Sequence, residues 1–170
     1  MNTVAKTLGL VAILLTLASG TAWAVIECTA DSACRGTDGP NTMYGSVSKD
    51  RIYGKGGADA INATGGVDEV YGGDGHDAQL IGGSGEDLVR GGAGEDKAVG
   101  GSGADTLRGG EGRDELWGEG GADKLEGGPS NDILNSSHDG GARNKVVGGG
   151  GFDICYVDKY DRVKGCERNY

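Results

Sequence analysis

An aspartate returns at a fixed interval through most of this chain. Between Gly82 and Trp117 it closes the phrases GGSGED, GGAGED, GGSGAD and GGEGRD, each time in the sixth place of a nine-residue unit. Aligned on that acid, units begin at Gly36, Gly45, Gly54, Ala63 and Gly72. One extra residue follows, at Leu80 or Ile81, and units resume at Gly82, Gly91, Gly100, Gly109, Gly118 and Gly127. After a divergent stretch, SSHDGGARNKVV, a last unit, GGGGFDICY, begins at Gly148. The sixth place reads Asn41, Asp50, Asp59, Asp68, Asp77, Asp87, Asp96, Asp105, Asp114, Asp123, Asp132 and Asp153. A lone aspartate in such a phrase is commonly a turn former that bonds its own backbone. Eleven in register suit a different chemistry, the holding of hard divalent cations. Calcium takes roughly 6 to 8 oxygen ligands from carboxylates and carbonyls. Aspartate keeps its carboxylate close to its own turn, where glutamate would overshoot. Glycine at the first, second and fourth places supplies backbone angles that other residues adopt only at a cost.

The elements that position these acids follow from the eighth place: Met43, Ile52, Ile61, Val70, Val89, Ala98, Leu107, Leu116, Leu125, Leu134 and Cys155. One apolar residue flanked by polar ones is the period-2 mark of a half-buried strand. Each unit therefore reads as a six-residue turn followed by a three-residue strand, and two units make one coil. Such a thin core works only if coils stack. One edge then stacks Asn41, Asp59, Asp77, Asp96, Asp114 and Asp132; the other stacks Asp50, Asp68, Asp87, Asp105 and Asp123. Neighbours along an edge lie about 4.8 Å apart. Unneutralised carboxylates that close repel one another, and a divalent ion between them reverses the sign.

Composition narrows the class. The 170 residues include 37 Gly and 2 Pro, with 5% aromatics and a net charge of -10. That much glycine excludes an ordinary packed helical or sandwich domain. Collagen is excluded because glycine does not recur every third residue. The acidity opposes binding to nucleic acid or to anionic membranes. It also favours disorder unless something neutralises it. Residues 1–24 have one early base, Lys6, an apolar run from Leu8 to Ala18 and the small-x-small ending Ala22-Trp23-Ala24. This predicts a secretory signal peptide cut after Ala24, with no membrane insertion afterwards. Four segments result: the signal at 1–24, an N-terminal cap at 25–35, the repeats at 36–135, and a divergent segment with last repeat and C-terminal cap at 136–170.

The units resemble the calcium-binding nonapeptide of RTX proteins, G-G-x-G-x-D-x-U-x. The closest matches run from Gly72 to Asp77, Gly82 to Asp87, Gly91 to Asp96, Gly100 to Asp105 and Gly109 to Asp114. The resemblance covers residues 36–135 and the unit at Gly148. It implies an all-β chain folded as a right-handed parallel β-roll, with several calcium ions held between successive turns. The implied ligands are Asp50, Asp59, Asp68, Asp77, Asp87, Asp96, Asp105, Asp114, Asp123, Asp132 and Asp153. The turn carbonyls of Gly73, Gly75, Gly83, Gly85, Gly92, Gly94, Gly101, Gly103, Gly110 and Gly112 join them. The best sites are expected between Gly54 and Asp123. Elsewhere the turns carry Asn41, Ser48, or Pro129 with Ser130.

An open solenoid needs capped ends. The first and last coils are too far apart for one disulfide to join them. Cys28–Cys34 and Cys155–Cys166 are therefore the expected staples. Tyr44, Tyr53, Tyr71 and Trp117 fall at the outward ninth place, with Arg90 and Arg108 at other units. They cover the thin core, and they are open to a glycan or cell-surface partner. His76 and His138 share no ligand spacing and read as surface residues. The chain contains no HExxH motif, no GxSxG elbow and no Cys–His pair with room around it. A monomeric calcium-binding protein rather than an enzyme is expected, one that folds on meeting extracellular calcium. The alternative is an adhesive or matrix protein that uses the roll as a rigid scaffold. Many RTX proteins leave through a dedicated exporter with an uncleaved C-terminal signal; an N-terminal signal departs from that pattern, so toxin activity is not carried over.

Overall fold

The computed structural model describes residues 14–16, 23–29 and 33–170, and among them there is no helix. Most of the predicted signal peptide therefore lies outside the described residues. The strands stack into two sheets. One contains Trp23–Glu27, Asn41–Tyr44, Ala60–Asn62, Gln79–Ser84, Lys97–Ser102, Glu115–Gly120, Ile133–Asn135, Ile154–Tyr156 and Arg168–Asn169. Leu14–Thr16 runs antiparallel on its outer edge, against Trp23–Glu27. The other sheet contains Ala33–Arg35, Arg51–Gly56, Glu69–Asp74, Leu88–Ala93, Thr106–Glu111, Lys124–Gly128, Lys145–Gly149 and Arg162–Lys164. From Trp23–Glu27 onward, strands that follow one another in the chain alternate between the sheets, and their pairings within each sheet are parallel. This is a parallel β-roll.

The eighth-place side chains form two inward columns. In one sheet Met43 lies opposite Ile61, Ile61 opposite Leu80, Leu80 opposite Ala98, and Ala98 opposite Leu116. In the other, Ile52, Val70, Val89, Leu107 and Leu125 stand in register. All are buried. Leu80 locates the extra residue of the Gly72 unit. It is not Leu80 or Ile81, which pair in register with Ile61 and Asn62; the insertion is absorbed before the strand, at Ala78. The strands also run longer than three residues. Leu88–Ala93 and Thr106–Glu111 continue through the first three places of the next unit. The first-place glycine faces inward, so the period-2 alternation persists and the ladder with it.

The ends are coils in their own right. Ile26 pairs with Met43 and Cys34 with Ile52, so the N-terminal cap extends both core columns. The Cys28–Cys34 disulfide closes it, with Cα atoms 5.5 Å apart. At the other end Cys155 occupies the column beyond Leu134 and bonds Cys166, with Cα atoms 6.0 Å apart. Outside, Tyr53 and Tyr71 stack with centroids 4.8 Å apart. Arg35 and Arg90 cover the two ends of that pair.

Each coil contributes only two large apolar side chains, and parallel strands leave no slack to close a void. Leu107→Ala is expected to cost about 2–5 kcal/mol, the usual range for a buried leucine that cannot collapse. Urea unfolding in calcium measures it.

Candidate metal centres

The backbone brings every sixth-place acid indoors. Asp50, Asp59, Asp68, Asp77, Asp87, Asp96, Asp105, Asp114, Asp123, Asp132 and Asp153 are each no more than 3% exposed. They form two ladders, one per edge, as the spacing predicts. In ten of them Oδ1 accepts the backbone N–H of the acid or amide one coil earlier, at 2.7–2.9 Å. The acid's own carbonyl accepts an N–H from the following coil, as Asp77 does from Lys97. A carboxylate thus acts as one more rung of the backbone ladder.

The second oxygen has no such role. Oδ2 of Asp59, Asp68, Asp77, Asp87, Asp96, Asp105, Asp114, Asp123, Asp132 and Asp153 is buried without a hydrogen-bond partner. For Asp50 the unpartnered atom is Oδ1; its Oδ2 accepts the N–H of Ser46 at 2.6 Å. Buried polar atoms are nearly always paired, and an unpaired buried carboxylate is among the costliest groups a fold can hold. Among the described residues no Lys or Arg forms an ion pair with these acids. The ion pairs lie on the strand faces and use glutamates: Lys49 and Arg51 with Glu69, Lys97 with Glu115, Arg108 and Lys124 with Glu126.

Electrostatics record the strain. Desolvation pushes the Asp77, Asp105 and Asp114 carboxyls up to about 7, with like charge from ladder neighbours adding to it and the backbone N–H opposing it. Asp68 and Asp132 rise to about 6 for the same first cause. Burial likewise raises Asp59, Asp87, Asp96, Asp123 and Asp153.

Glycines shape the surrounding cradle, in two ways rather than one. The second and fourth places do require positive φ, as at Gly73 (116°) and Gly75 (136°). The first place does not; it needs space instead. A Cβ on Gly91 would collide with Asp96 Oδ2 and would sit 2.7 Å from the Gly109 carbonyl. The carbonyls also divide. Gly73, Gly83, Gly92, Gly101 and Gly110 lie inside strands. Gly75, Gly85, Gly94, Gly103 and Gly112 lie just beyond them. The Gly75 carbonyl points at the α-carbon of Gly94, and Gly85 at that of Gly103.

Three ladder members were not anticipated. Asn144 accepts the Asp123 N–H at 2.7 Å, so the divergent stretch contains a unit, DGGARNKVV, with an amide in the sixth place and Val146 in the eighth. Its signal was the run Asn-Lys-Val-Val, hidden by a three-residue insertion. Asp161 accepts from Asn144, and Glu167 accepts from Asp153. These two close the ladders within turns of different length, which no nine-residue period locates.

The donor set is all oxygen. Among the described residues no three His, Cys, Asp or Glu side chains converge. A ladder gap therefore offers carboxylate and carbonyl oxygens, as a hard cation such as calcium requires, and no soft ligand for a transition metal. The model of the RTX calcium-binding nonapeptide repeat matches four times, over residues 35–61, 44–78, 79–107 and 99–134. No curated protein and no solved structure matches the chain. Repeats, roll and buried carboxylate ladders agree with that match, and the chain belongs to the RTX calcium-binding nonapeptide repeat family.

Proposed function

We propose that this calcium-binding repeat protein is secreted, and that extracellular calcium drives its folding. The observation that carries the reading is the set of unpartnered carboxylate oxygens buried along both edges. In this reading Asp59, Asp68, Asp77, Asp87, Asp96, Asp105, Asp114, Asp123, Asp132 and Asp153 hold calcium through Oδ2. The fourth-place carbonyls of Gly75, Gly85, Gly94, Gly103 and Gly112 complete the shells, and the second-place carbonyls serve the strands first. The ions supply the positive charge that the fold lacks, so binding free energy becomes folding free energy. Extracellular calcium modules work at roughly 10⁻⁴ to 10⁻³ M. Two disulfides and the leader-like residues 1–24 support export. The adhesive reading draws on outward aromatics, but Arg35 and Arg90 already cover the Tyr53–Tyr71 pair. The role assigned is binding, not catalysis.

Circular dichroism tests the central point. The mature chain is expected to gain β signal between EDTA and millimolar calcium; equal signal in both would refute the reading. Asp105→Asn separates the two roles of the ladder. It removes one buried charge and one ligand, so it is expected to melt higher than the native chain in EDTA and lower in calcium. Loss of one site costs about 2.7 kcal/mol when calcium stands at 100 times Kd.

Acidity acts oppositely on the two states. An unfolded aspartate titrates near 3.9. The ion-free fold, with Asp77, Asp105 and Asp114 at about 7, binds more protons than the unfolded chain between those values. Its stability therefore rises as pH falls from about 7 toward 4 and is lost as pH climbs back through 7. Denaturation in EDTA at pH 8 and pH 5 is expected to show greater stability at pH 5. Calcium competes with those protons, so its affinity is expected to fall over the same range in a calorimetric titration.

A further inference from the structure

Two turns at the N-terminal end are wired differently from the glycine turns that follow. They are the first on each edge, and both carry a hydroxyl in the second place. Ser46 donates its N–H to Asp50 Oδ2 at 2.6 Å, and its Oγ approaches the same oxygen at 2.9 Å. That Oγ also reaches the fourth-place carbonyl, Ser48, at 3.4 Å and accepts the Ser48 N–H at 3.2 Å. Thr37 repeats the pattern. Its N–H and Oγ1 meet Asn41 Oδ1 at 3.1 and 3.3 Å, and Oγ1 donates to the Gly39 carbonyl at 3.2 Å. In the turns that follow, the fourth-place N–H instead crosses to the next coil, as Gly75 does to Ala93 and Gly94 to Glu111.

Backbone conformation, not the hydroxyl alone, makes the difference. Thr64 is also a second-place threonine, but it sits at φ 75°. Its N–H goes to Asn62 and its hydroxyl to the Ser46 carbonyl, and Asp68 Oδ2 stays unpartnered. Thr37 and Ser46 are absent from the positive-φ residues, so their N–H groups turn into the loop. At Asn41 the change goes further. Its Nδ2 donates to Asp59 Oδ1 at 3.0 Å and to the Gly39 carbonyl. An amide hydrogen thus stands where a cation's charge would.

We propose that Thr37 and Ser46 act as built-in substitutes for calcium, leaving the first turn of each ladder ion-free and closing both stacks at the N-terminal end. The inference rests on the calcium reading above. The hydroxyl and N–H satisfy the acid oxygen and the fourth-place carbonyl together, the pair of groups left to a cation in the glycine turns. A hydroxyl is neutral and needs no ion concentration, so in the coil next to the Cys28–Cys34 staple Asp50 Oδ2 and Asn41 Oδ1 are partnered without calcium, and Asp50 Oδ1 is the one acid oxygen left over there. The remaining coils stack on it from one direction.

Long-wavelength diffraction from crystals of the native chain grown in calcium tests this directly. Anomalous peaks are expected beside Oδ2 of Asp59, Asp68, Asp77, Asp87, Asp96, Asp105, Asp114, Asp123, Asp132 and Asp153, with none inside the 37–41 and 46–50 turns. A peak touching Asp50 Oδ2 and the Ser48 carbonyl, or Asn41 Oδ1 and the Gly39 carbonyl, overturns the inference while leaving the calcium reading intact. Absence of peaks from every turn overturns both. Native mass spectrometry gives the second arm. Ser46→Gly is expected to bind one more calcium than the native chain. Ser46→Ala, which keeps the N–H, is expected to bind the native number. An unchanged count in Ser46→Gly that retains the native β signal in calcium also overturns it.

Discussion

One carboxylate does two opposed things in every coil. Its Oδ1 is a structural acceptor, bonded to the backbone of the coil before, and this bond holds the edge of the roll in register. Its Oδ2 is buried with no donor, one coil from the next such oxygen. The first contact needs the side chain inside; the second makes being inside costly. In the glycine turns no hydrogen bond resolves the conflict, because Oδ2 of each acid from Asp59 to Asp132 has no donor. Lysines and arginines cannot resolve it either, since their stems lie on the strand faces and end at Glu69, Glu115 and Glu126. A small dication supplies the positive charge that these oxygens lack.

The rest of the architecture follows from keeping the acids close to the axis. A wide core would separate the sheets and carry the turns away from one another. Hence a single apolar residue per strand, followed by an inward glycine with no side chain at all. The Gly91 position shows the tolerance: the space a methyl would need is taken by Asp96 Oδ2. Such a core stabilises little per coil, and the stack is cooperative only through its neighbours. The ends therefore carry the reinforcement, with a disulfide at each and residues of other types closing the ladders. Asp161 accepts from Ser136 and Asp158 as well as from Asn144, so neither of its oxygens is left over.

Much of this was legible before any coordinates. A nine-residue period with the acid sixth and the apolar residue eighth leaves one way to bury both, and it assigned the acids to their two edges correctly. The cysteine pairing followed from the length of the stack. Three things were not legible. The extra residue of the Gly72 unit was ambiguous within a run of small and apolar residues, until Leu80 had to meet Ile61. The unit at Asn144 was masked by its insertion. The glycines at first and second place look alike as letters, yet one answers to space and the other to φ.

Period and composition by themselves determined the class of fold, the edge on which each repeat acid from Asp50 to Asp132 stands and the oxygen chemistry of the turns, because those depend on residue type at fixed separation. Only the folded molecule decided which oxygen of each carboxylate is spoken for. That depends on where each N–H points, and a single torsion at the second place of a turn redirects it. Ser46 and Thr64 both place a hydroxyl second in the turn, yet their N–H groups part: Ser46 turns in toward its acid, and Thr64, at φ 75°, turns away to Asn62.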